Sequence, residues 1–262
     1  MATIIQFTPT PRSDMPIDIR KLTVSNLISP AVEAVSTTAI TEHASEPIKD
    51  MEDIDRVCRY YKDNGRYRDY MLFIVGINFG LRVSDLLSLR FSHLIDDSFT
   101  FRTTFPILEK KTSNTRKVKK NRYITINEAV IEAVTLYLQN TPNVKLSDFM
   151  FRSESNNSKN QNKPMTRQAA DAVLKKAGSD LGLDIHIATH TLRKTFAYHQ
   201  MLISKNDPRK LLLLQKMFGH STSAQTLDYI GITGEEIEEA YLSLNLGGTR
   251  SYVGTIVEEE LA

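Results

Sequence analysis

Four side chains between residues 189 and 229 have the types and spacing needed for chemistry on a phosphate group. His190 and Arg193 lie three residues apart, so on a helix that begins near residue 189 they share one face and can bind the same anion. His220 follows a glycine that we expect to end a second helix, and Tyr229 comes nine residues later. Tyrosine can serve as the nucleophile in covalent catalysis. The stretch therefore predicts a site in which two histidines, an arginine and a tyrosine act together on a phosphate.

The sequence motifs around these residues are similar to those of a known enzyme family. H-T-L-R-K-T-F, followed by G-H-S-x-x-x-T-x-x-Y, resembles the catalytic core of the tyrosine recombinases, which include the phage integrases and the Xer-like proteins. G-L-R-V-S-D-L-L-S-L-R at residues 80–90 resembles the segment with that family's first catalytic arginine, and E-K-K-T-S-N-T-R-K-V at residues 109–118 resembles its β-hairpin lysine. H-x-x-R alone is a weak signal, whereas the ordered set of matches over about residues 50–232 is specific.

The resemblance implies a clamp for the phosphate. Arg82 and Arg193 match the two catalytic arginines, and two planar guanidinium groups can bind two non-bridging oxygens where lysines would provide only point charges. His220 would add a hydrogen bond to the same oxygens. Asp85 comes three residues after Arg82, and we expect its carboxylate to be buried and to orient the guanidinium group.

The resemblance also implies covalent catalysis. Tyr229 would attack phosphorus, and His190 would either hold the phenol or accept its proton as a general base. Lys111, the lysine before the threonine in a K-T dipeptide, would protonate the leaving 5′-oxygen. Strand alternation by itself is neutral between Lys110 and Lys111, and a shift of one residue in register would reverse the choice. The product would be a 3′-phosphotyrosine, which a 5′-hydroxyl of another duplex can resolve without ATP.

A basic segment precedes the middle of the chain. Residues 98–126 alternate in polarity and are rich in β-branched side chains, which predicts a small antiparallel sheet, and the turn at 112–120 is a candidate finger for a DNA groove. Residues 102–122 hold eight Lys and Arg against one acidic residue, a pattern that also protects an edge strand from aggregation. We expect DNA contacts from Lys110, Arg116, Lys117, Lys119, Lys120 and Lys194.

Capping residues and apolar periodicity predict the elements that hold the site. A helix at residues 67–79 is apolar on most sides, which predicts deep burial, and Gly80 should end it so that Arg82 emerges at the break. The apolar run at 211–218 should pack against the helix of His190. Three further helices have predicted caps: one that Asp50 or Asp53 caps and that runs to residue 62, one at 128–139 capped by Asn127, and one at 234–244 capped by Thr233. Another helix is predicted to start at 164–166 and to run to 177, and a short helix is predicted at 84–89. A strand is predicted at 149–151.

The charge distribution favours a polyanionic partner. Residues 49–231 hold 29 Lys and Arg against 19 Asp and Glu, whereas residues 1–48 hold 3 against 5 and residues 232–262 hold 1 against 7. An ordinary solvated surface is the alternative. The single Cys58 excludes an internal disulfide and, with no secretory signal, predicts a cytoplasmic location. The longest apolar stretch, residues 71–81, is interrupted and is shorter than the roughly 20 residues of a membrane span.

These observations predict an α+β fold. We expect a mainly helical catalytic domain of the tyrosine-recombinase type at residues 49–232, with a small antiparallel β-sheet. Residues 1–48 form a short, poorly structured N-terminal segment, which is too short for the core-binding domain that precedes the catalytic domain in most relatives. Residues 233–262 form a C-terminal helix and tail that could contact a neighbouring protomer.

The predicted function is site-specific DNA recombination of the integrase, excisionase or invertase type, in the service of a mobile element. The resemblance implies double-stranded DNA as the partner, a homotetramer on DNA, and an accessory factor that bends DNA or sets direction. No cofactor and no metal are expected, since the chain has no carboxylate cluster and no Cys and His ligand spacing. Two alternatives are a DNA-binding regulator on the same fold without strand exchange, and a topoisomerase-like enzyme that nicks and reseals.

Overall fold

The protein is mainly helical, with one small antiparallel sheet among the residues whose structure is described. A computed structural model describes residues 45–107, 122–154, 161–204 and 207–230. The helices are α1 (Met51–Asp63), α2 (Tyr67–Phe79), α3 (Val83–Leu86), α4 (Phe91–Leu94), α5 (Glu128–Asn140), α6 (Arg167–Asp180), α7 (Thr189–Ile203), α8 (Pro208–Phe218) and α9 (Ser223–Ile230). The strands are β1 (Thr104–Ile107) and β2 (Arg122–Thr125).

Side-chain caps set the first residue of three helices. Asp50, Asn127 and Thr166 each accept a hydrogen bond from a backbone N–H in the first turn of α1, α5 and α6, respectively. These N–H groups have no acceptor inside the helix, so the cap accepts a hydrogen bond that the donor would otherwise lack in the folded protein. The predicted starts of these helices are therefore confirmed, because the capping signal is local in sequence.

Helix α2 contributes the most continuously buried part of the core. Its fully buried side chains include Met71, Leu72, Phe73 and Val75. The helix packs against α5 and α7. A Cβ atom on Gly76 would lie only 2.5 Å from Cδ1 of Leu192, so α7 approaches α2 to a distance that only glycine permits. This contact fixes α7, the helix that holds His190 and Arg193.

Gly80 ends α2 and turns the chain toward the site. Its φ of 56° lies in the left-handed region, and its N–H donates to the carbonyl of Gly76. Arg82 follows in an extended conformation and precedes α3. A Cβ at Gly80 would lie 2.4 Å from Cδ1 of Phe196 on α7, so this turn is also packed tightly against that helix. The predicted break between residue 79 and Arg82 is confirmed.

The two strands form a short antiparallel ribbon. Thr104 pairs with Thr125 at one end of the ribbon and Ile107 with Arg122 at the other. The small antiparallel sheet of the predicted fold is confirmed. Earlier in this region, residues 98–103 do not form a strand, and an isolated bridge joins Ile95 to Phe101. The predicted basic turn at 112–120 lies outside the described residues.

The predicted strand at residues 149–151 is wrong. Phe149 makes one isolated bridge with Arg90, and residues 150 and 151 lie in a turn. The Met150 N–H donates to the carbonyl of Leu89, whereas the Phe151 carbonyl accepts from a different segment at residue 165. The backbone thus changes partner within two residues, and no continuous ladder forms. The short helix predicted at 84–89 ends at residue 86 and continues as tight turns, and α6 runs to residue 180, three residues beyond its predicted end.

The apolar run of α8 is only partly buried. Leu214 and Phe218 are 1% and 0% exposed and pack with Phe196 of α7, as predicted. Leu212 and Leu213 are 61% and 47% exposed. The run thus packs against α7 with only some of its residues, because consecutive residues of a helix point in different directions and α7 covers only one side of α8.

The remaining predictions concern residues at the chain ends. Residues 1–44 and 231–262, including the helix that Thr233 was predicted to cap, lie outside the described residues.

Ile48 is completely buried, and its N–H donates to the hydroxyl of Thr195 on α7 at 2.9 Å. Within the described ranges, no helix combines the length and the apolar character that a membrane crossing requires.

Two alanine substitutions should separate backbone strain from steric overlap. Gly65 and Gly80 have φ values of 65° and 56°, but a Cβ at Gly65 would meet nothing within 4 Å. We expect Gly65→Ala to cost about 1 kcal/mol of unfolding free energy, because only the left-handed conformation opposes it. Gly80→Ala should cost a further ~1–3 kcal/mol, because the Phe196 ring must move. Denaturant unfolding measures both values, and equal losses would show that Phe196 yields without cost.

Candidate active site

Five of the six residues that the sequence predicted for catalysis line one cleft of about 1040 Å³. The cleft opens between α3, the start of α7, the turn after α8, and α9. Its charged and titratable lining residues are Arg82, Arg167, His190, Arg193, His220 and Tyr229. Five of these six were predicted as catalytic, and the structure brings all five together. Lys111 lies outside the described residues, as do Lys110, Arg116, Lys117, Lys119 and Lys120.

One backbone carbonyl joins the two predicted catalytic arginines. The Phe218 carbonyl accepts a hydrogen bond from Nη2 of Arg82 at 2.8 Å and another from Nη2 of Arg193 at 3.3 Å. Nη1 of Arg193 donates to the carbonyl of Gly80 at 2.8 Å. These carbonyls lie at the C-terminal ends of α8 and α2, where the helix dipole is negative and carbonyl groups have no partner within the helix. The two helix ends therefore hold both guanidinium groups in place.

The Phe218 side chain supports the same arrangement. The guanidinium carbon of Arg193 lies 4.0 Å from the centre of the Phe218 ring, a cation–π contact, and Arg193 is only 3% exposed. The same ring packs edge-on against Tyr229 with centroids 5.6 Å apart, and the His220 ring lies 5.4 Å away. Phe218 thus contacts Arg193, Tyr229 and His220 with its ring, and it binds Arg82 and Arg193 with its backbone carbonyl.

His220 is placed by the end of α8. Gly219, with a φ of 66°, ends that helix, and the N–H of His220 donates to the carbonyl of Gln215 at 3.1 Å. Nδ1 of the ring lies 3.1 Å from the hydroxyl of Thr226, which is completely buried. Burial lowers the pKa of His220, and the positive charges of Arg193 and Arg82 lower it further. The imidazole is therefore neutral near neutral pH.

Tyr229 lies on α9 and contacts the histidine of α7. Its hydroxyl is 3.2 Å from Nδ1 of His190. Burial raises the pKa of the Tyr229 phenol above its ordinary value, while Arg193 and Arg82 act in the opposite direction. The phenol is thus protonated in the free protein, and the two arginines favour its ionised form.

His190 is surrounded by cations. Nη2 of Arg167 lies 3.1 Å from Nε2 of its ring. Burial is the main cause that lowers the pKa of His190, followed by the charges of Arg167, Arg193 and Lys194, while Asp171 opposes them. Sequence reasoning did not identify Arg167. It is the first residue of α6 and lies outside the matched motifs, so no spacing signal connects it to the site.

Comparison with known proteins agrees with this geometry. Residues 48–236 match the model of the phage integrase family. The chain belongs to the phage integrase family. This integrase-family chain is 34% identical over 199 residues to the "Probable integrase/recombinase YoeC" of Bacillus subtilis, an alignment that covers 76% of this chain and 96% of that protein. The predicted class of enzyme, a tyrosine-type DNA strand transferase, is confirmed by its family.

Other relatives of this integrase-family chain are longer. It is 28% identical over 170 residues to the tyrosine recombinase XerC of Bacillus licheniformis. That alignment covers 63% of this chain and 49% of the XerC protein. The chain thus spans about half the length of that relative. The crystal structure of XerA recombinase superimposes with a TM-score of 0.52 at 20% identity, and covers 76% of this chain and 65% of that one. A Tn1549 transposon integrase in complex with transposon right end DNA gives 0.53 at 18% identity, with 76% and 66% covered. These two likenesses confirm the predicted fold.

Two further predicted residues lie near the cleft. Asp85 is 1% exposed, so its predicted burial is confirmed, and its N–H donates to the carbonyl of Arg82 at 2.9 Å. Its predicted role in orienting the Arg82 side chain stays a prediction. Nζ of Lys194 lies 5.7 Å from the centre of the Tyr229 ring, so this cation is beside the phenol. Among the described residues, no group of three or more His, Cys, Asp and Glu side chains could hold a metal.

The lowered pKa values of the two cleft histidines predict a dependence of stability on pH. In the unfolded chain both should titrate near the ordinary value of about 6.5, and in the folded protein at lower pH. Between the folded and unfolded values the unfolded chain binds more protons, so the free energy of unfolding rises with pH and falls as the solution is acidified below about 6.5.

Denaturant unfolding over this pH range measures the effect. His93 and His199 also have lowered pKa values, so the informative quantity is a difference between proteins. The double variant His190→Gln with His220→Gln should lose stability less steeply on acidification than the wild type. If the two proteins show equal slopes, the cleft histidines are not held neutral by their surroundings.

Proposed function

We propose that this protein is a site-specific DNA recombinase that cleaves and rejoins DNA through a 3′-phosphotyrosine intermediate. The single observation that carries the proposal is the convergence of Arg82 and Arg193 on the Phe218 carbonyl, in the cleft that Tyr229 lines. Two fixed guanidinium groups and a phenol are the groups needed to bind and attack a phosphodiester. Membership of the phage integrase family supports DNA as the source of that phosphate.

The clamp would act by electrostatic stabilisation. Arg82 and Arg193 each donate to a backbone carbonyl, which fixes the position and plane of the guanidinium group. A phosphodiester that enters the cleft would meet fixed positive charges that need little reorganisation, and such charges contribute most where negative charge develops. His220 would add a third donor through Nε2, provided that its Nδ1 accepts the hydrogen bond from Thr226.

The cleavage step would exchange one ester bond of phosphorus for another. The phenol oxygen of Tyr229 loses its proton and forms a bond to phosphorus, while the bond from phosphorus to the 5′-oxygen breaks. The departing 5′-oxygen takes a proton from Lys111, the proposed general acid, and becomes a free 5′-hydroxyl. The linkage keeps the energy of the phosphodiester, so a 5′-hydroxyl from another duplex can reverse the step and exchange strands.

His190 can serve Tyr229 in two ways that exclude each other. As a general base it would accept the phenol proton on Nδ1, which requires that Nδ1 has a free lone pair. As a donor it would stabilise the phenolate through Nδ1–H, which requires the other tautomer. The distance of 3.2 Å between Nδ1 and the Tyr229 hydroxyl fits both.

The proposal extends to the whole chain and its assembly. Residues 49–232 would form the catalytic domain, residues 1–48 an N-terminal segment, and residues 233–262 a helix and tail that contact a neighbouring protomer in a homotetramer on DNA. The basic residues of 110–120 and Lys194 would contact the duplex. Integration, excision and inversion use the same chemistry, and an accessory factor that bends DNA would select among them. The Tn1549 integrase, whose structure is that of a complex with transposon right end DNA, supports double-stranded DNA as the partner.

A nicked suicide duplex tests the nucleophile. Sequencing of the DNA that flanks the gene should supply the substrate, because inverted repeats or attachment junctions there would mark the recombination site. Incubation should give a covalent protein–DNA adduct, and Tyr229→Phe should abolish it because the phenol oxygen is lost. Tyr198→Phe is the matched control, since Tyr198 is a nearby tyrosine on α7, and it should form the adduct at the wild-type rate.

Other outcomes identify the alternatives. Specific binding to the repeats with no adduct in any variant would show a DNA-binding regulator on a recombinase fold. An adduct that reseals without ever joining two duplexes would show a topoisomerase-like enzyme. An adduct that persists in Tyr229→Phe would overturn the assignment of the nucleophile.

Substitutions at Thr226 test the orientation of His220. Thr226→Val keeps the shape of a completely buried side chain but removes the hydroxyl that lies 3.1 Å from Nδ1 of His220. Adduct formation at saturating DNA should fall about ten- to a hundredfold, because a misoriented donor loses most of its effect on the phosphate. Thr226→Ser keeps the hydroxyl and should stay within a few-fold of wild type. Equal rates for the Val and Ser variants, at equal unfolding midpoints, would show that the hydroxyl does not position His220.

A further inference from the structure

A chain of two hydrogen bonds links Arg167 to the predicted nucleophile through His190. Nη2 of Arg167 lies 3.1 Å from Nε2 of His190, and Nδ1 of the same ring lies 3.2 Å from the hydroxyl of Tyr229. Arginine has only donors and stays charged in proteins, so Nε2 of His190 must be the acceptor in the first bond. A neutral imidazole with a lone pair on Nε2 has its hydrogen on Nδ1. His190 therefore donates to the Tyr229 oxygen.

We propose that Arg167 is a positioning residue of this site: it fixes the Nδ1–H tautomer of His190, so that His190 stabilises the Tyr229 phenolate instead of removing the phenol proton. The inference rests on the proposed function, in which Tyr229 is the nucleophile. It chooses between the two roles of His190 that the sequence left open.

The groups around His190 support a neutral ring. Arg167 faces it from α6, and Arg193 and Lys194 face it from α7. Asp171 of α6 is the opposing charge, but it accepts the N–H of residue 189 at 3.0 Å and pairs with a lysine of its own helix at 2.9 Å. A second proton on the ring would have to displace Arg167 from Nε2 and would add a positive charge beside three others. The lowered pKa of His190 agrees with this arrangement.

The tautomer decides the path of the phenol proton. With Nδ1–H directed at the Tyr229 oxygen, His190 has no free lone pair on that side to accept a proton. The phenol proton would then leave to water in the open cleft as the oxygen attacks phosphorus. His190, Arg193 and Arg82 would share the stabilisation of the phenolate, since the two arginines already favour ionisation of that phenol.

A first test needs no DNA. Side-chain ¹⁵N NMR of the histidine-labelled protein, with the His190 signals assigned by their loss in His190→Gln, reports which ring nitrogen has the hydrogen. The wild type should show Nδ1–H above the pKa of His190. Arg167→Met removes the donor, so the Nε2–H form should appear and the pKa of His190 should rise. Lys176→Met is the matched control, because it removes one charge from the exposed face of the same helix, where Lys176 pairs with Asp180, and it should leave His190 unchanged.

A second test uses the pH dependence of adduct formation on the nicked duplex at saturating DNA. The ratio of the Arg167→Met rate to the wild-type rate removes any pH dependence that both proteins share. Below the pKa of His190 the imidazolium still has a hydrogen on Nδ1, so the ratio should be highest there. Above that pKa the His190 ring of Arg167→Met mostly has its hydrogen on Nε2. If the Nδ1–H tautomer then makes up roughly one part in ten, the ratio should fall about tenfold. Arg167→Lys keeps a cationic donor and should recover part of the loss.

The opposite results overturn the proposal. An Nε2–H tautomer in the wild type, or a His190 spectrum that Arg167→Met leaves unchanged, would show that Arg167 does not set the ring. A rate ratio that rises with pH would show that His190 acts as a base that Arg167 obstructs, and a flat ratio would show that Arg167 acts only as a DNA contact. The NMR result is independent of catalysis, so it decides the tautomer even if no adduct forms and the proposed function fails.

Discussion

The structure of the cleft depends on the meeting of two helix ends. The last residues of α2 and α8 present carbonyl groups that have no partner within their helices, and three guanidinium groups bind them. Arg193 joins Gly80 to Phe218, Arg82 binds Phe218, and Arg122 of β2 donates to the carbonyls of Phe79 and Met217 at 3.1 and 3.3 Å. Like charges repel at such short range, and the negative ends of two helix dipoles offset that repulsion. The proposed binding site for a phosphate is thus a group of cations that the backbone holds together.

The two glycines that end these helices are the reason that the carbonyls are available. Gly80 and Gly219 both adopt left-handed conformations, which turn the chain away and leave the final carbonyls exposed to the arginines. Arg82, two residues after Gly80, and His220, directly after Gly219, both line the cleft. Each glycine therefore both ends a helix and places a nearby side chain in the cleft. This relation also explains why the matched motifs contain a glycine one or two residues before a predicted catalytic side chain.

Local signals in the sequence predicted much of this arrangement. Caps at Asp50, Asn127 and Thr166 and the stop at Gly80 depend on neighbouring residues, so the ends that they define could be read from the chain. The role of Arg167 could not, because its partner His190 is 23 residues away and the pairing depends on how α6 packs against α7. Arg122 was missed for the same reason. The exposure of two leucines in α8 also depends on tertiary packing, and an apolar run does not reveal which side of a helix is covered.

The charge state of the free site explains why its groups must act together. The guanidinium groups are positive, while the histidines have lowered pKa values and the phenol of Tyr229 a raised one, so the cleft has a net positive charge and a protonated nucleophile. A phosphodiester that binds there adds a negative charge beside Tyr229, which disfavours the phenolate further. In the proposed mechanism the phenol therefore does not ionise in advance of attack. Its proton would leave as the bond to phosphorus forms, when negative charge moves from the phenol oxygen onto the phosphoryl and leaving oxygens. The proposed hydrogen-bond donor on His190 and the two fixed arginines would stabilise that redistribution without a strong base.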